Sequence, residues 1–134
     1  NNNGVCKFIK TGDSKSQMFN GNIITIDMFG KTFYHPYNFF AVSHGRVNML
    51  FPKFKINKEV GIFLVKAIEN STTGKYSYNR MCSRSRLENQ LITLPVNLDN
   101  SPDYEFMESY IKEKENKMIS KYNKYLETLD KLGG

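Results

Sequence analysis

The sequence predicts an α+β domain followed by one long C-terminal helix. Short runs rich in β-branched and aromatic residues, separated by Gly, Asn and Pro, fill most of residues 1–100. One segment among them repeats its apolar residues at helical spacing, and residues 103–132 contain neither Gly nor Pro. We therefore expect two parts: a head at residues 1–100 and a long helix at residues 101–134.

The head is predicted to contain several short strands. Residues 22–27 follow Asn20-Gly21, a tight-turn signal, and Gly30-Lys31 turns the chain into the next strand. The predicted strands are residues 5–9, 22–27, 32–35, 39–42, 47–51 and 91–94. Because the chain opens at Asn1 and enters a strand within a few residues, we expect the head to be incomplete at its N terminus.

The predicted helix of the head follows a capping residue, Asn57, and ends within residues 70–74. Its apolar residues fall on one side, so that side is expected to be buried. These residues are Val60, Phe63, Leu64, Ala67 and Ile68.

The long helix is predicted over residues 103–132, with Ser101 as the capping hydroxyl and Pro102 at the first helical position. A helix of about 30 residues measures ~45 Å. Its apolar positions keep a 3-4 heptad spacing, interrupted by Glu115, and are Ile111, Met118, Tyr122, Tyr125, Leu129 and Leu132. A head of this size cannot cover the whole stripe, so we expect most of it to pack against another helix. The alternative is a helix folded back on its own head.

Positive charge is concentrated in the head. The chain has 19 Lys+Arg and 13 Asp+Glu, of which residues 103–134 hold only 6 and 7. A basic head joined to a nearly neutral helix indicates a polyanion-binding surface with an assembly element, although ordinary surface charge is the alternative. The composition excludes collagen, low-complexity disorder and a disulfide scaffold. With two cysteines and no long apolar run, we expect a cytoplasmic protein without membrane contact.

Catalytic patterns in the sequence fail on geometry. Pro102-Asp103 and Glu115-Asn116-Lys117 match a nuclease motif, but 12 residues of one helix separate the carboxylates by ~18 Å. Ser43 and His44 are strand neighbours that point to opposite faces, so they do not form a hydrolytic triad with Asp27. The His and Cys residues lack zinc-site spacing, and no glycine-rich phosphate loop is present. We expect neither an active site nor a resident cofactor or metal.

Residues 75–86 are the segment best suited to a polyanion, with four cations and no acid in 12 residues. Arg and Asn side chains can pair with guanine and adenine edges, and Tyr can stack on a base or contact a phosphate. The alternative is a solvated connection whose tyrosines prop it against the core. The predicted contact residues in this segment are Lys75, Tyr76, Ser77, Tyr78, Asn79, Arg80, Arg84 and Arg86.

A second candidate is the segment of residues 43–48, where Gly45 would let the backbone approach a ligand closely. His44 and Arg46 are its predicted contacts. Arg46 and Asn48 share one strand face, but both could equally be structural.

Several motifs resemble the target recognition domain of restriction–modification specificity (S) subunits of the type I kind. They are Asn2-Asn3-Gly4-Val5, residues 21–34, Tyr76-Ser77-Tyr78-Asn79-Arg80, residues 91–95 and residues 102–107. The most specific is the Leu-Pro-Val stretch followed by Pro-Asp-Tyr-Glu-Phe-Met, which opens the long helix. The resemblance covers nearly the whole chain.

The resemblance implies a mixed α/β recognition domain with a strongly curved, barrel-like, mainly antiparallel sheet. It also implies that the long helix packs against a second one and that the subunit reads double-stranded DNA without catalysing a reaction. The implied partners are methyltransferase (modification) subunits and, through them, a restriction subunit. Base flipping and methyl transfer would belong to the partner that binds S-adenosylmethionine.

Complete specificity subunits carry two recognition domains and two long helices, whereas this chain has one of each. The chain is therefore expected to be half of a split system, which pairs with a second half or with a copy of itself, or a trimmed piece.

We predict a DNA-recognition module in which Lys31 and Tyr34 also face the duplex. Two alternatives stay open. One is a protein-assembly module whose basic head binds an acidic partner and whose helix dimerises. The other is the C-terminal recognition domain of a larger methyltransferase or restriction enzyme with its catalytic part upstream.

Overall fold

The computed structural model describes residues 16–42 and 47–133, which form two small antiparallel sheets and three helices. The predicted α+β class with a long C-terminal helix is confirmed. The strands are β1 (Ser16–Phe19), β2 (Ile23–Asp27), β3 (Thr32–His35), β4 (Phe39–Val42) and β5 (Val47–Leu50). The helices are α1 (Lys58–Thr72), α2 (Arg84–Leu87) and α3 (Tyr104–Gly133).

The strands pair as β1-β4 in one sheet and as β3-β2-β5 in the other. In the larger sheet, β2 pairs with β3 through Ile24 and Tyr34, and with β5 through Ile24 and Leu50. Within the described residues neither sheet closes on itself, so the expectation of a barrel-like sheet is an overstatement.

Most of the predicted strands are confirmed to within one residue. The prediction at residues 5–9 lies outside the described residues. The predicted strand at residues 91–94 is wrong, because Leu91 is 83% exposed and the segment has no strand pairing. Pairing occurs just beyond it, where Val96 and Pro102 form an isolated bridge that closes the turn before α3. The strand β1 was not predicted.

The core lies between β2 and α1. Ile24 and Ile26 of β2 are buried against Val60, Leu64 and Ile68 of α1. The predicted cap of α1 is confirmed, since the Asn57 side chain accepts a hydrogen bond from the amide of Val60 at 2.9 Å.

Gly61 lets the sheet approach α1 closely. A Cβ at this position would collide with the ring of Tyr34 on β3. The flat tyrosine ring therefore lies directly on the helix backbone, and a larger residue at position 61 would force the two elements apart.

His35 connects the two sheets through its buried ring. Its Nε2 lies 2.7 Å from the hydroxyl of Thr25, and its ring stacks on Phe39 of β4 with centroids 4.4 Å apart. Burial lowers the pKa of His35, so the ring stays neutral near pH 7.

The cap of α3 differs from the prediction. Asp103, rather than Ser101, precedes the first turn, and its Oδ1 accepts from the amide of Phe106 at 3.0 Å. The Ser101 hydroxyl instead donates to Asp99 at 2.6 Å. Because Pro102 already bridges to Val96, it lies before the helix rather than at its first position.

The first three turns of α3, residues 104–115, pack on the head and are called the docked half. Met107 is fully buried in the core cluster, and Tyr110 packs edge-on against Phe63 of α1 at a centroid distance of 5.8 Å. At the end of this half, Glu115 pairs with Lys58 at 3.8 Å.

The remainder of α3, residues 116–133, is called the free half because its side chains are exposed. Of the predicted interface positions, Ile111 lies in the docked half and is half-buried. The exposed ones are Met118, Tyr122, Tyr125, Leu129 and Leu132. At 100° per residue they continue the helix face that Met107 and Ile111 present to the head.

Across residues 16–42 and 47–133, none of the helices combines the length and apolar character that a membrane span requires.

Candidate nucleic-acid interface

The turn between β2 and β3 is fixed by Asp27. Its carboxylate accepts from the amides of Phe29 and Lys31 at 2.8 and 2.9 Å. Gly30 follows with φ of +89°, a conformation that side chains rarely adopt. This Asx-type turn leaves Phe29 exposed at its tip.

A second tight turn lies in the basic segment of residues 75–86. Ser77 and Arg80 exchange both backbone hydrogen bonds, at 3.0 and 3.1 Å, which places Tyr78 and Asn79 at its tip. The segment is therefore an ordered hairpin that continues into the short helix α2, which was not predicted.

The two turns are joined by their main chains. The amide of Cys82 donates to the carbonyl of Met28 at 2.7 Å, and the Tyr76 ring lies against Gly30. The rings of Phe29 and Tyr78 meet edge to face with centroids 5.0 Å apart. We call residues 27–31 and 77–80 together the paired-turn surface.

Tyr76 supports this surface from below. It is half-buried and packs against the core cluster, to which Cys82 belongs. Burial raises the pKa of both the Tyr76 phenol and the buried Cys82 thiol. Both groups are therefore neutral near pH 7 and do not weaken the positive field of the neighbouring arginines.

Three cations, Lys75, Arg80 and Arg86, line an open groove of about 660 Å³ beside the hairpin. These cations and the neighbouring Arg84 differ in whether another group of the protein already binds them. Arg86 donates to the carbonyl of Met81 at 2.6 Å, and the guanidinium of Arg84 pairs with Glu88 at 3.0 Å. Within residues 16–42 and 47–133, Lys75 and Arg80 make no ion pair, so both can meet an anion.

The remaining predicted contacts lie as follows. Ser77, Asn79 and Lys31 are exposed on the paired-turn surface, with Lys31 Nζ 5.5 Å from the Phe33 ring centroid. Tyr34 packs on Gly61 and donates its hydroxyl to Asn22, so its ring supports the fold. His44 and Arg46 lie outside the described residues.

Phe29 is an exposed residue of this surface that the sequence reasoning missed. The signal was present, because an Asp followed three residues later by Gly between two strands is typical of a tight turn. Such a turn places the residue before the glycine at its tip.

The described residues contain no group of three or more His, Cys, Asp or Glu side chains arranged to hold a metal ion. The two carboxylates of the nuclease-like motif have other contacts, since Asp103 caps α3 and Glu115 pairs with Lys58. The site consists of the exposed side chains of Tyr78 and Asn79 beside Lys75 and Arg80, which make no ion pair with any described residue.

The chain is similar to known proteins over most of its length. Residues 1–124 match the family described as the type I restriction modification DNA specificity domain. The chain is also 36% identical over 124 residues to the "Type II restriction enzyme BgcI specificity subunit S.BcgI" of Heyndrickxia coagulans. That similarity covers 90% of this chain and 35% of the relative, so the chain spans about a third of the relative's length. No solved structure matches the chain.

Proposed function

Because the chain belongs to the family of type I restriction–modification DNA specificity domains, we propose that it recognises a DNA sequence and directs partner subunits to it. The head at residues 1–100 reads the duplex, and the helix at residues 101–134 assembles the complex. The module is cytoplasmic and does not itself catalyse a reaction. Methylation and cleavage reside in the partners, which bring their own S-adenosylmethionine and catalytic residues.

The observation that carries this proposal is the paired-turn surface beside its groove. Two hydrogen-bonded turns hold Tyr78, Asn79 and Arg80 outward, next to Lys75. Preorganised turns lose little conformational entropy when they bind, and exposed cations supply the attraction to phosphates.

The side chains of this surface divide by chemistry. Lys31 and Lys75 are suited to phosphate contacts, which position the protein without reading the sequence. Asn79 can pair with adenine and Arg80 with guanine in the major groove. Ser77 adds a hydroxyl that can donate to or accept from either a base edge or a phosphate.

Arg84 and Arg86 contribute less to binding than Arg80. An exposed ion pair such as Arg84–Glu88 is weak, so Arg84 can exchange Glu88 for a phosphate at little cost. Arg86 holds the Met81 carbonyl and thereby the backbone after the hairpin, so its first role is support.

The free half of α3 supports the assembly role. Its exposed apolar residues repeat at coiled-coil spacing, and such a stripe is stabilised by a partner helix. A second specificity half or another copy of this chain would supply that helix. The modification subunits would dock on the resulting pair and bring the restriction subunit.

The test is duplex binding by the chain at several salt concentrations, followed by the Lys75→Ala/Arg80→Ala variant. We expect weaker binding and a salt slope shallower by roughly one for each phosphate that the variant no longer neutralises. The matched control is Lys124→Ala/Lys131→Ala, which removes the same charge from the free half of α3 and leaves affinity nearly unchanged.

Equal reductions in affinity in the two double variants would mean that only overall charge matters, and the binding surface would not be this one. Binding of an acidic protein with no selective binding of any duplex would favour the protein-assembly alternative. Adding the modification subunit gives a further check, because a recognition module completed by assembly binds its target more selectively in the complex.

A further inference from the structure

Phe29 and Tyr78 form an exposed aromatic pair on the paired-turn surface. Phe29 is 44% exposed and Tyr78 79% exposed, although each is held on a hydrogen-bonded turn. Single exposed aromatic residues are common on protein surfaces and need no explanation. Here two residues from different turns meet at one point, beside Lys75 and Arg80.

The geometry of the pair limits what it can bind. The two ring planes cross at 71° with centroids 5.0 Å apart, so the pair presents a blunt apolar surface. It does not offer two parallel faces between which a flat base could stack. The nearby acid, Asp27, has its Oδ1 directed at the amides of its own turn.

We propose that Phe29, backed by Tyr78, contacts a thymine C5-methyl group in the major groove. This inference rests on the DNA-binding function proposed above. The thymine methyl is the apolar group that the major groove displays, and phenylalanine is one of the side chains that contact it. Asn79 and Arg80 lie on the same hairpin as Tyr78 and have the chemistry to read adenine and guanine beside that thymine.

The two rings have different roles in this contact. Phe29 supplies the methyl contact because it is wholly apolar and its backbone is fixed by Asp27 on one side and Gly30 on the other. Tyr78 supports the Phe29 ring, and its hydroxyl stays accessible to water or phosphate oxygens.

The experiment compares thymidine with deoxyuridine, which differs from it only in lacking the C5-methyl group. The preferred duplex is first selected from a randomised pool with the wild-type chain, and each thymine is then replaced singly. We expect one or two positions at which the affinity of the wild type falls about fourfold per methyl removed. Phe29→Ala should bind the thymine duplex about as weakly as the wild type binds the substituted one. Its affinity should not change when that thymine is replaced.

Two further variants serve as a conservative substitution and as a control. Phe29→Leu retains an apolar side chain and should keep part of the sensitivity to the methyl group, even if Phe29→Ala fails to fold. Tyr37→Ala removes an aromatic residue that is 81% exposed outside the paired-turn surface, and it should behave as the wild type.

The outcomes separate the two proposals. A wild-type chain with no sequence preference would overturn the proposed function and this inference together. A chain that prefers a sequence but tolerates deoxyuridine at every position overturns only the inference. So does methyl sensitivity that persists unchanged in Phe29→Ala, because the contact would then belong to another residue.

Discussion

The two halves of α3 carry one continuous apolar face and differ in what covers it. In the docked half, α1 and the core cover that face, and Met107 is completely buried. In the free half, the same face is exposed from Met118 to Leu132. The 3-4 spacing runs from Ile111 in the docked half to Leu132 at the end of the free half, with Glu115 as its polar interruption. The pattern therefore predicts that a face will be covered, but not whether the cover comes from the same chain.

The largest difference in stability is expected between alanine variants of two methionines, one in each half of α3. Met107→Ala should lower the free energy of unfolding by about 2–5 kcal/mol, because it leaves a cavity in the core. Met118 is 71% exposed, so Met118→Ala should cost less than about 0.5 kcal/mol. Urea unfolding of both variants measures the difference. Equal destabilisation would mean that the free half is covered in the isolated chain.

Charges on the apolar face of the free half should separate assembly from folding. Tyr122→Glu/Leu129→Glu should weaken association of the helix at least a hundredfold, about 2.7 kcal/mol, because two carboxylates would lie in an apolar contact. Sedimentation over a range of chain concentrations measures this. The control Asn116→Glu/Asn123→Glu adds the same charge to another face. An oligomer that survives the first pair would exclude this face as the interface.

A smaller effect is expected at the start of the docked half. Asp103→Ala removes the side chain that accepts from the Phe106 amide and should cost about 1 kcal/mol of stability. Ser101→Ala should cost less than about 0.5 kcal/mol, because its hydroxyl bonds Asp99 in the preceding turn. Thermal unfolding distinguishes the two, and a reversed order would restore Ser101 as the cap.

The elements that the sequence predicts well are those with local signals. Asn57 caps α1 as expected, and the β2–β3 pair follows its turn residues to within one position. The strand prediction at residues 91–94 was wrong because an apolar run does not by itself specify strand pairing. Leu91 is neither paired nor buried. Ser101 and Asp103 both suit an N-cap, so the choice between them depended on the bridge between Val96 and Pro102.

The candidate site was predictable in composition but not in arrangement. Charge density identified residues 75–86, while nothing local to that segment shows that it rests on the β2–β3 turn. That contact joins residues more than 50 positions apart through main-chain atoms, which leave no trace in side-chain patterns. Phe29 was missed although Asp27 and Gly30 signal its turn, whereas the packing of the Tyr34 ring on Gly61 of α1 has no local signal.

The link from the Cys82 amide to the Met28 carbonyl has an evolutionary consequence. It joins the two turns without using any side chain, and the turn at residues 77–80 is itself closed by backbone hydrogen bonds between Ser77 and Arg80. Side chains at the tips can therefore be exchanged while the frame beneath them stays in register. A scaffold of this kind allows new target sequences to be acquired by point substitution, without the fold having to be selected again.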